Sequence, residues 1–570
     1  QTSICETTPG VKGFSGYVNL PATAGYTYNS SIFFWYFEAR KNAATAPVVM
    51  YLPGGPGTSF LDGASGFPCT VNADSNSTTL NQWSWNTDVN MLYIDQPVQT
   101  GFSFTNKQDG LLDLITQEFT HVTDASKLVA NLTSLPATLS SQLQTETTNT
   151  TTQVVQSMWR FAQAWFQEFP EYKTSNKEIS LWSYSYSGFF GPATLAHFAQ
   201  QNALIANGTL KPSDPKAKAL KLGTLGINNG CIDSLIQIPS YPEFAVNNTF
   251  GVQAISPEIY AMAKEALDAP GVGCIDLIKD CRAAGEKLDP LGLGNNEEVN
   301  AKCVAANKLC FETVQGAYVL SGKSAFDIAL PMPGVFPEEY SAAFYNQRWV
   351  QSALGVPVNF TLSSNSIPTN MFYTTGDAWR RTVGDLEYVL AAGLNVALVY
   401  GDRDYRCNWV GVEAVSLAMS YPSAPSFRSA GYAPIAVNAN YMGGLVRQHG
   451  GVSFSRVFDA GHAVAAYQPE TVHAIFNRAL SGKDVATGLS AADAKYSSQG
   501  SNSAFLNRTL PKEVPAPARC YVYAVQVTCT EEQIWALGNG TAMVKDYVVV
   551  ALTGGQNGQG GGNGSTTAPG

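Results

Sequence analysis

Trp182-Ser183-Tyr184-Ser185-Tyr186-Ser187-Gly188 is the stretch from which the fold can be read. The residues leading into it, Glu178-Ile179-Ser180-Leu181-Trp182-Ser183, are mostly apolar and predict a buried strand, whereas Phe189 to Gln201 has helical spacing. Ser185 therefore falls on a strand-to-helix turn, where a sharp bend lifts a hydroxyl clear of both elements. A serine in an aromatic strand is most often structural, so the reading needs further strand ends with matching chemistry.

Two such ends follow. Val396-Ala397-Leu398-Val399-Tyr400 is a β-rich run broken by Gly401 just before Asp402-Arg403-Asp404. The strand-like Ser453 to Phe458 leads to Ala460-Gly461-His462, and a helix is expected from about Pro469. Nucleophile, acid and histidine in that order along the chain, each after a strand, is the α/β-hydrolase layout: a mostly parallel sheet, helices on both faces, ligands at the carboxyl ends of strands. Gly-Asp and Gly-His dipeptides are usually plain turns; the conjunction points to a catalytic Ser185–His462–Asp404 constellation. Pro53-Gly54-Gly55-Pro56-Gly57 directly follows the apolar strand Val48–Leu52. Such a loop can bring a bare N–H to a substrate oxyanion, so the expected oxyanion hole is the N–H of Gly55 with that of Tyr186.

With these segments in view the chain resembles the serine carboxypeptidases, most of all their secreted fungal branch. The resemblance rests on Phe33-Phe34-Trp35-Tyr36-Phe37-Glu38-Ala39-Arg40, the glycine loop, Asn90-Met91-Leu92-Tyr93-Ile94-Asp95-Gln96-Pro97 with Gly101-Phe102-Ser103-Phe104, Tyr400 through Trp409, and Ala460-Gly461-His462 with Tyr467-Gln468-Pro469. It spans roughly residues 15 to 485 and implies an α/β-hydrolase fold with Ser185, Asp404 and His462 in the catalytic roles.

The departures from that family's pattern concern substrate recognition. The family holds a peptide's terminal carboxylate with an Asn at the head of the glycine loop and two Glu, one in the nucleophile turn and one shortly after the loop, the Glu protonated so that they donate hydrogen bonds. Here those positions read Pro53, Tyr184 and Ser65. After the histidine, where the family usually offers Glu or Met, stands Ala463. Pro53, Gly54, Ser65, Tyr184, Arg406 and Ala463 are thus the substrate-binding candidates, with Arg403 or Arg406 able to supply charge to a carboxylate. Loops also carry arginines that are merely solvated. The expectation is intact acyl-transfer chemistry with weakened recognition of the free carboxylate. Three classes stay open: an exopeptidase releasing C-terminal residues; an esterase, amidase or acyltransferase acting on small uncharged acyl groups; and a non-catalytic binding glycoprotein.

Composition bounds the rest. The chain has 570 residues, 45% hydrophobic, with a net charge of −10. It has no basic cluster, which argues against nucleic acid or an anionic membrane as partner. The five His show no ligand spacing, so no metal or other cofactor is expected. Cysteines number ten. Cys274, Cys281, Cys303 and Cys310 form two pairs of seven-residue spacing, and nested bridges Cys274–Cys310 and Cys281–Cys303 are what the resemblance implies. Cys520 with Cys529 and Cys5 with Cys69 are further guesses. Cys231 and Cys407 are left open between a bridge and free thiols. Glycosylation sequons stand at Asn29, Asn76, Asn131, Asn149, Asn207, Asn247, Asn359, Asn507, Asn539 and Asn563. With the cysteines they point to a secreted glycoprotein, read as a mature form whose signal segment has been removed. No run reaches the ~20 apolar residues of a membrane span.

The expected domains are a hydrolase core over 1–231 and 336–552, a disulfide-bonded helical cap over 232–335, and a disordered Gly/Asn-rich tail over 553–570 in which a lost lipid-anchor signal has no support. The role of 486–552 is not legible. Ser140 to Gln153 reads as a mobile surface loop, and Val154, Met158, Phe161 and Trp165 as one buried helical face.

Overall fold

The structure, a computed structural model, describes residues 2–23, 25–209, 217–332, 336–337, 340–512 and 518–553. Its centre is a 10-stranded sheet. In chain order the strands are β1 (Gly13–Leu20), β2 (Ser30–Phe37), β3 (Val48–Leu52), β4 (Asn90–Ile94), β5 (Glu178–Tyr184), β6 (Lys221–Asn228), β7 (Val396–Gly401), β8 (Tyr432–Asn438), β9 (Tyr441–His449) and β10 (Val452–Val457). They lie side by side as β1-β2-β4-β3-β5-β6-β7-β10-β9-β8. The run from β4 to β10 is parallel, and antiparallel pairs close both edges. With helices packed on both faces this is an α/β-hydrolase fold, as the strand pattern implied.

Side-chain alternation explains the layering. Phe34, Tyr36, Val48, Met50, Leu52, Leu181 and Leu398 point to one face, where they meet α1 (Thr151–Glu168) and α2 (Ser187–Ala206). Phe33, Trp35, Phe37, Val49, Tyr51, Trp182 and Val399 point to the other, where Ile475 and Phe476 of the helix Pro469–Leu480 cover them. The α1 stripe Val154, Met158, Phe161 and Trp165 is buried as its spacing predicts. Because both faces are covered, the central strands read as continuous apolar runs.

Register then places the site. Ser183 of β5 pairs with Leu52 of β3 and Ile227 of β6, Asn228 of β6 with Val399 of β7, and Gly401 of β7 with Val457 of β10. The carboxyl ends therefore finish in one row, and the residues following them converge.

Ser140 to Gln153 is the surface loop its composition suggested only in part: Leu143 to Thr145 are exposed, but the residues on either side are packed. Thr147, Thr148 and Thr150 are buried, and Thr150 accepts from the Gln153 N–H to cap α1. Helices fill much of 234–321, including the antiparallel Cys274–Leu288 and Glu297–Asn307. From 336 onward, assigned to the core from sequence, no strand joins the main sheet until Val396 among the described residues. All ten cysteines are bridged: Cys5–Cys69, Cys231–Cys407, Cys274–Cys310, Cys281–Cys303 and Cys520–Cys529. The last closes a turn and the short helix Val525–Thr528. Residues 518–553 pack an apolar cluster against Leu112 and Leu135 of a separate three-stranded sheet and Leu114 and Ile115 of its first turn. Thr553 donates its N–H to the Thr541 carbonyl; residues 554–570, with Asn563, lie outside the described residues.

Beneath the row of strand ends, Arg456 is fully buried with Asp402, 3.1 Å away, and lies over the Trp409 ring. It also donates to the carbonyl of Ala504 and to Thr249 Oγ1. Burial pushes the Asp402 carboxyl up to about 6, so the arginine is what keeps it charged near neutrality. Arg456→Met removes that partner and is expected to lower stability by about 3–5 kcal/mol, read as an earlier urea midpoint with little change in slope.

Candidate active site

Ser185 sits one residue past β5 with φ 59°, a left-handed conformation that non-glycine residues avoid. The bend aims Oγ across the row of strand ends, where it lies 2.8 Å from His462 Nε2. His462 Nδ1 lies 2.7 Å from Asp404 Oδ2. That carboxylate oxygen also accepts from Asn229 Nδ2 at 2.9 Å and from the Cys407 N–H at 3.3 Å. Three donors on one oxygen hold the carboxylate in place, and the carboxylate fixes the imidazole with Nε2 toward the serine. The His462 ring lies between Tyr184 and Phe326, at 5.0 and 5.1 Å. The Phe326 carbonyl also accepts the His462 N–H at 2.7 Å.

The glycine loop packs directly on the nucleophile turn. A Cβ on Gly54 would stand 2.4 Å from the Ser185 Cβ, so only glycine admits this approach. Gly55, at φ 105°, lines the cavity beside Ser185. Among the described residues no acceptor takes the N–H of Gly55 or of Tyr186, leaving both available to an oxyanion. Tyr186 is held by its own side chain, whose hydroxyl donates to Asp377 Oδ2 at 2.9 Å. The loop's far limb is clamped by Asp95, a fully buried carboxylate that accepts from Ser59 Oγ at 2.6 Å and the Phe102 N–H at 3.0 Å. Burial pushes Asp95 up to about 7.

These groups open into a cavity of about 590 Å³ lined mostly by apolar side chains, among them Phe311, Phe326, Phe372 and Trp379. One wall comes from Tyr523 to Val527, far along the chain. A buried-edge hydroxyl with an imidazole and a carboxylate in line, beside two free main-chain donors, is equipped for acyl transfer through a seryl ester.

A family model described as serine carboxypeptidase matches residues 4–482. The chain belongs to the serine carboxypeptidase family. Carboxypeptidase S1 homolog A of Arthroderma benhamiae is 43% identical over 563 residues, covering 96% of this chain and 86% of the relative. A Carboxypeptidase Y homolog of the same organism is 39% identical, covering 95% and 87%, and Carboxypeptidase S1 of Penicillium janthinellum is 30% identical, covering 85% and 99%. Among solved structures, a prohormone-processing carboxypeptidase of Saccharomyces cerevisiae, Kex1, superposes with TM-score 0.54 at 19% identity, covering 82% and 91%, a likeness of fold. The protein is thus a serine hydrolase of serine carboxypeptidase type.

Within this serine carboxypeptidase the substrate-binding candidates separate. Tyr184, Arg406 and Ala463 line the cavity. Pro53 does not: it is buried, and its carbonyl accepts from Ser187 Oγ. Gly54 is packed against Ser185, as described above. Ser65 is also a correction, since its Oγ is buried without a partner among the described residues and the side chain does not line the cavity. Arg403 is no solvated loop arginine either; it is buried and paired with Asp327 at 3.0 Å. The Cys231–Cys407 bridge leaves no free thiol at the cavity wall.

The sequence missed Asn229, Phe326 and Asp62. Asn229 was findable as a polar residue ending an apolar strand, whereas Asp62-Gly63 reads only as a turn. Asp62 lines the cavity, its Oδ1 accepts the Ala64 N–H at 2.9 Å, and burial pushes its carboxyl up to about 6. Of the sequon asparagines, Asn29, Asn76, Asn131, Asn207, Asn247, Asn507 and Asn539 are exposed. Asn359 is engaged, its Nδ2 donating to Asn346 and its Oδ1 accepting from the Thr138 N–H. Asn149 is half-buried and accepts from Asn370. No helix among the described residues is long and apolar enough to cross a membrane.

Asp404→Asn keeps the shape of the carboxylate but turns a donor toward His462, and is expected to lower kcat by about 10⁴-fold while the enzyme folds normally. Steady-state kinetics with far-UV circular dichroism checks this; a loss under tenfold contradicts the arrangement.

Proposed function

We propose that this protein is a secreted, glycosylated serine exopeptidase that releases C-terminal residues from peptides, with weakened dependence on the free carboxylate. The observation that carries the reading is the Ser185–His462–Asp404 contact chain, at 2.8 and 2.7 Å, beside the N–H groups of Gly55 and Tyr186. His462 Nε2 takes the Ser185 proton as Oγ attacks the scissile carbonyl, and the two N–H groups hold the resulting oxyanion. The imidazolium then protonates the departing amine, leaving an acyl ester on Ser185. Water, deprotonated by the same imidazole, hydrolyses that ester. The described sequons, the five disulfides and the family's fungal relatives support secretion.

The weakened carboxylate recognition follows from chemistry on the leaving-group side. Pro53 has no side-chain donor, Ser65 is turned away from the cavity, and Ala463 carries no polar group. Asp62 is the carboxyl that remains there. It is faced by His462, whose charge lowers its pKa, and lies near Tyr51 and Asp95, while burial outweighs these and raises it. Below about pH 6 it is neutral and donates to a substrate carboxylate; above that it is an anion and repels one. The departures at Pro53, Ser65, Tyr184 and Ala463 favour, as a second reading, an esterase, amidase or acyltransferase on uncharged acyl groups.

One acyl group presented as free-acid peptide, blocked amide and ester across pH 4–8 separates the readings. The free-acid to amide ratio of kcat/KM is expected to be modest and to fall as pH rises through about 6, because Asp62 then becomes an anion that repels the free carboxylate. Asp62→Asn is expected to flatten that fall. A large, pH-independent free-acid preference defeats the weakened-recognition reading, and ester turnover without peptide turnover selects the second.

A further inference from the structure

Charge is scarce in the cavity above Ser185. Among the described residues lining it, Asp62 and Arg406 carry the formal charges besides the titratable His462, and they lie on different walls. Asp62 belongs to the glycine-loop wall with Tyr184 and Ala463. Arg406 belongs to the helical wall, at the end of an aromatic path that starts at the oxyanion side: the Tyr186 ring meets Phe372 at 5.5 Å, Phe372 stacks on Phe311 at 5.6 Å, and the Arg406 guanidinium lies 5.0 Å over Phe311. It also lies 5.8 Å from Phe326, the ring that packs on His462. One aromatic ring therefore separates the guanidinium from the imidazole.

The arginine's position is built. Cys407, next to it, is bridged to Cys231, and the Arg406 carbonyl accepts the Tyr241 hydroxyl at 2.7 Å. The side chain is half-buried. Neighbouring arginines have buried carboxylate partners, Arg403 with Asp327 and Arg456 with Asp402. Arg406 forms an ion pair with no carboxylate among the described residues. Ring faces orient a guanidinium and steady its charge, but they do not satisfy its in-plane N–H donors. A half-desolvated fork of donors on a residue lining the cavity is matched by a planar carboxylate.

We propose that Arg406 is a specificity-determining residue that selects an acidic side chain, Asp or Glu, on the acyl residue, the one whose carbonyl Ser185 attacks. The assignment to the acyl residue rests on the proposed function, in which the Asp62 wall takes the leaving group. The helical wall then receives the residue on the other side of the scissile bond.

The test measures kcat/KM for two substrate series, free-acid peptides and p-nitrophenyl esters, each with Glu or its uncharged isostere Gln as the acyl residue, at pH 6. Active enzyme is counted with a serine-reactive phosphonate, so misfolded protein does not enter the comparison. The native enzyme is expected to prefer Glu over Gln by about tenfold in both series, the worth of one well-placed charged hydrogen-bonded pair. Arg406→Gln is expected to bring the ratio to about one, and Arg406→Glu to invert it and favour Lys as the acyl residue. Equal rates for Glu and Gln in both series, or a Glu preference that survives in Arg406→Gln, overturns the proposal. A Glu preference confined to the esters because no peptide is cleaved upholds it while defeating the exopeptidase reading.

Discussion

The left-handed turn at Ser185 is the constraint around which the molecule is arranged. A serine held at φ 59° is disfavoured by sterics, and it persists because its surroundings leave no alternative. β5 is fixed on both sides by β3 and β6, α2 begins two residues later, and Gly54 presses its bare Cα against the serine. That close approach carries the Gly55 N–H to the mouth of the cavity. Nucleophile and oxyanion donors are therefore consequences of one packing contact.

Histidine and acid are placed by a different device. Both follow strands whose ends are in register with β5, so backbone pairing sets their distance, and a ring of polar contacts sets their orientation. Asn229 comes from the end of β6 and serves Asp404, tying three neighbouring strand ends into one network. Phe326, from a small hairpin outside the main sheet, closes over the imidazole and accepts its main-chain N–H. The helical region is thus mechanically joined to the chemistry. The disulfide between Cys231 and Cys407 does the same for the wall that carries Arg406.

Substrate recognition is more dispersed than chemistry. The cavity draws on the glycine loop, the helical region, the stretch around Phe360 and the segment Tyr523–Val527, which lies beyond the residues matched by the family model. That last segment is anchored by the Tyr521 hydroxyl, which accepts the Ala343 N–H, and by its apolar cluster with Leu112 and Leu114. A hydrolase core with a shared reaction is in this way given walls of its own.

The sequence by itself determined the sheet, the order of the three functional segments and the turn chemistry, because apolar strands, glycines and strand-end polar residues act over a few neighbours and leave a local signature. It also places Pro53, Tyr184 and Ser65 where the resemblance leads one to expect an Asn and two Glu. Only the tertiary structure decided which side chains face the cavity. Ser65 and Arg403 looked available and are buried, whereas Asp62 looked like a turn residue and lines the wall. Threonines 147, 148 and 150 read as a loose loop and are packed. Burial and charge pairing in these cases depend largely on residues from other parts of the chain, such as Asp327 for Arg403 and Val98 for Thr147, and chain neighbours carry no record of them.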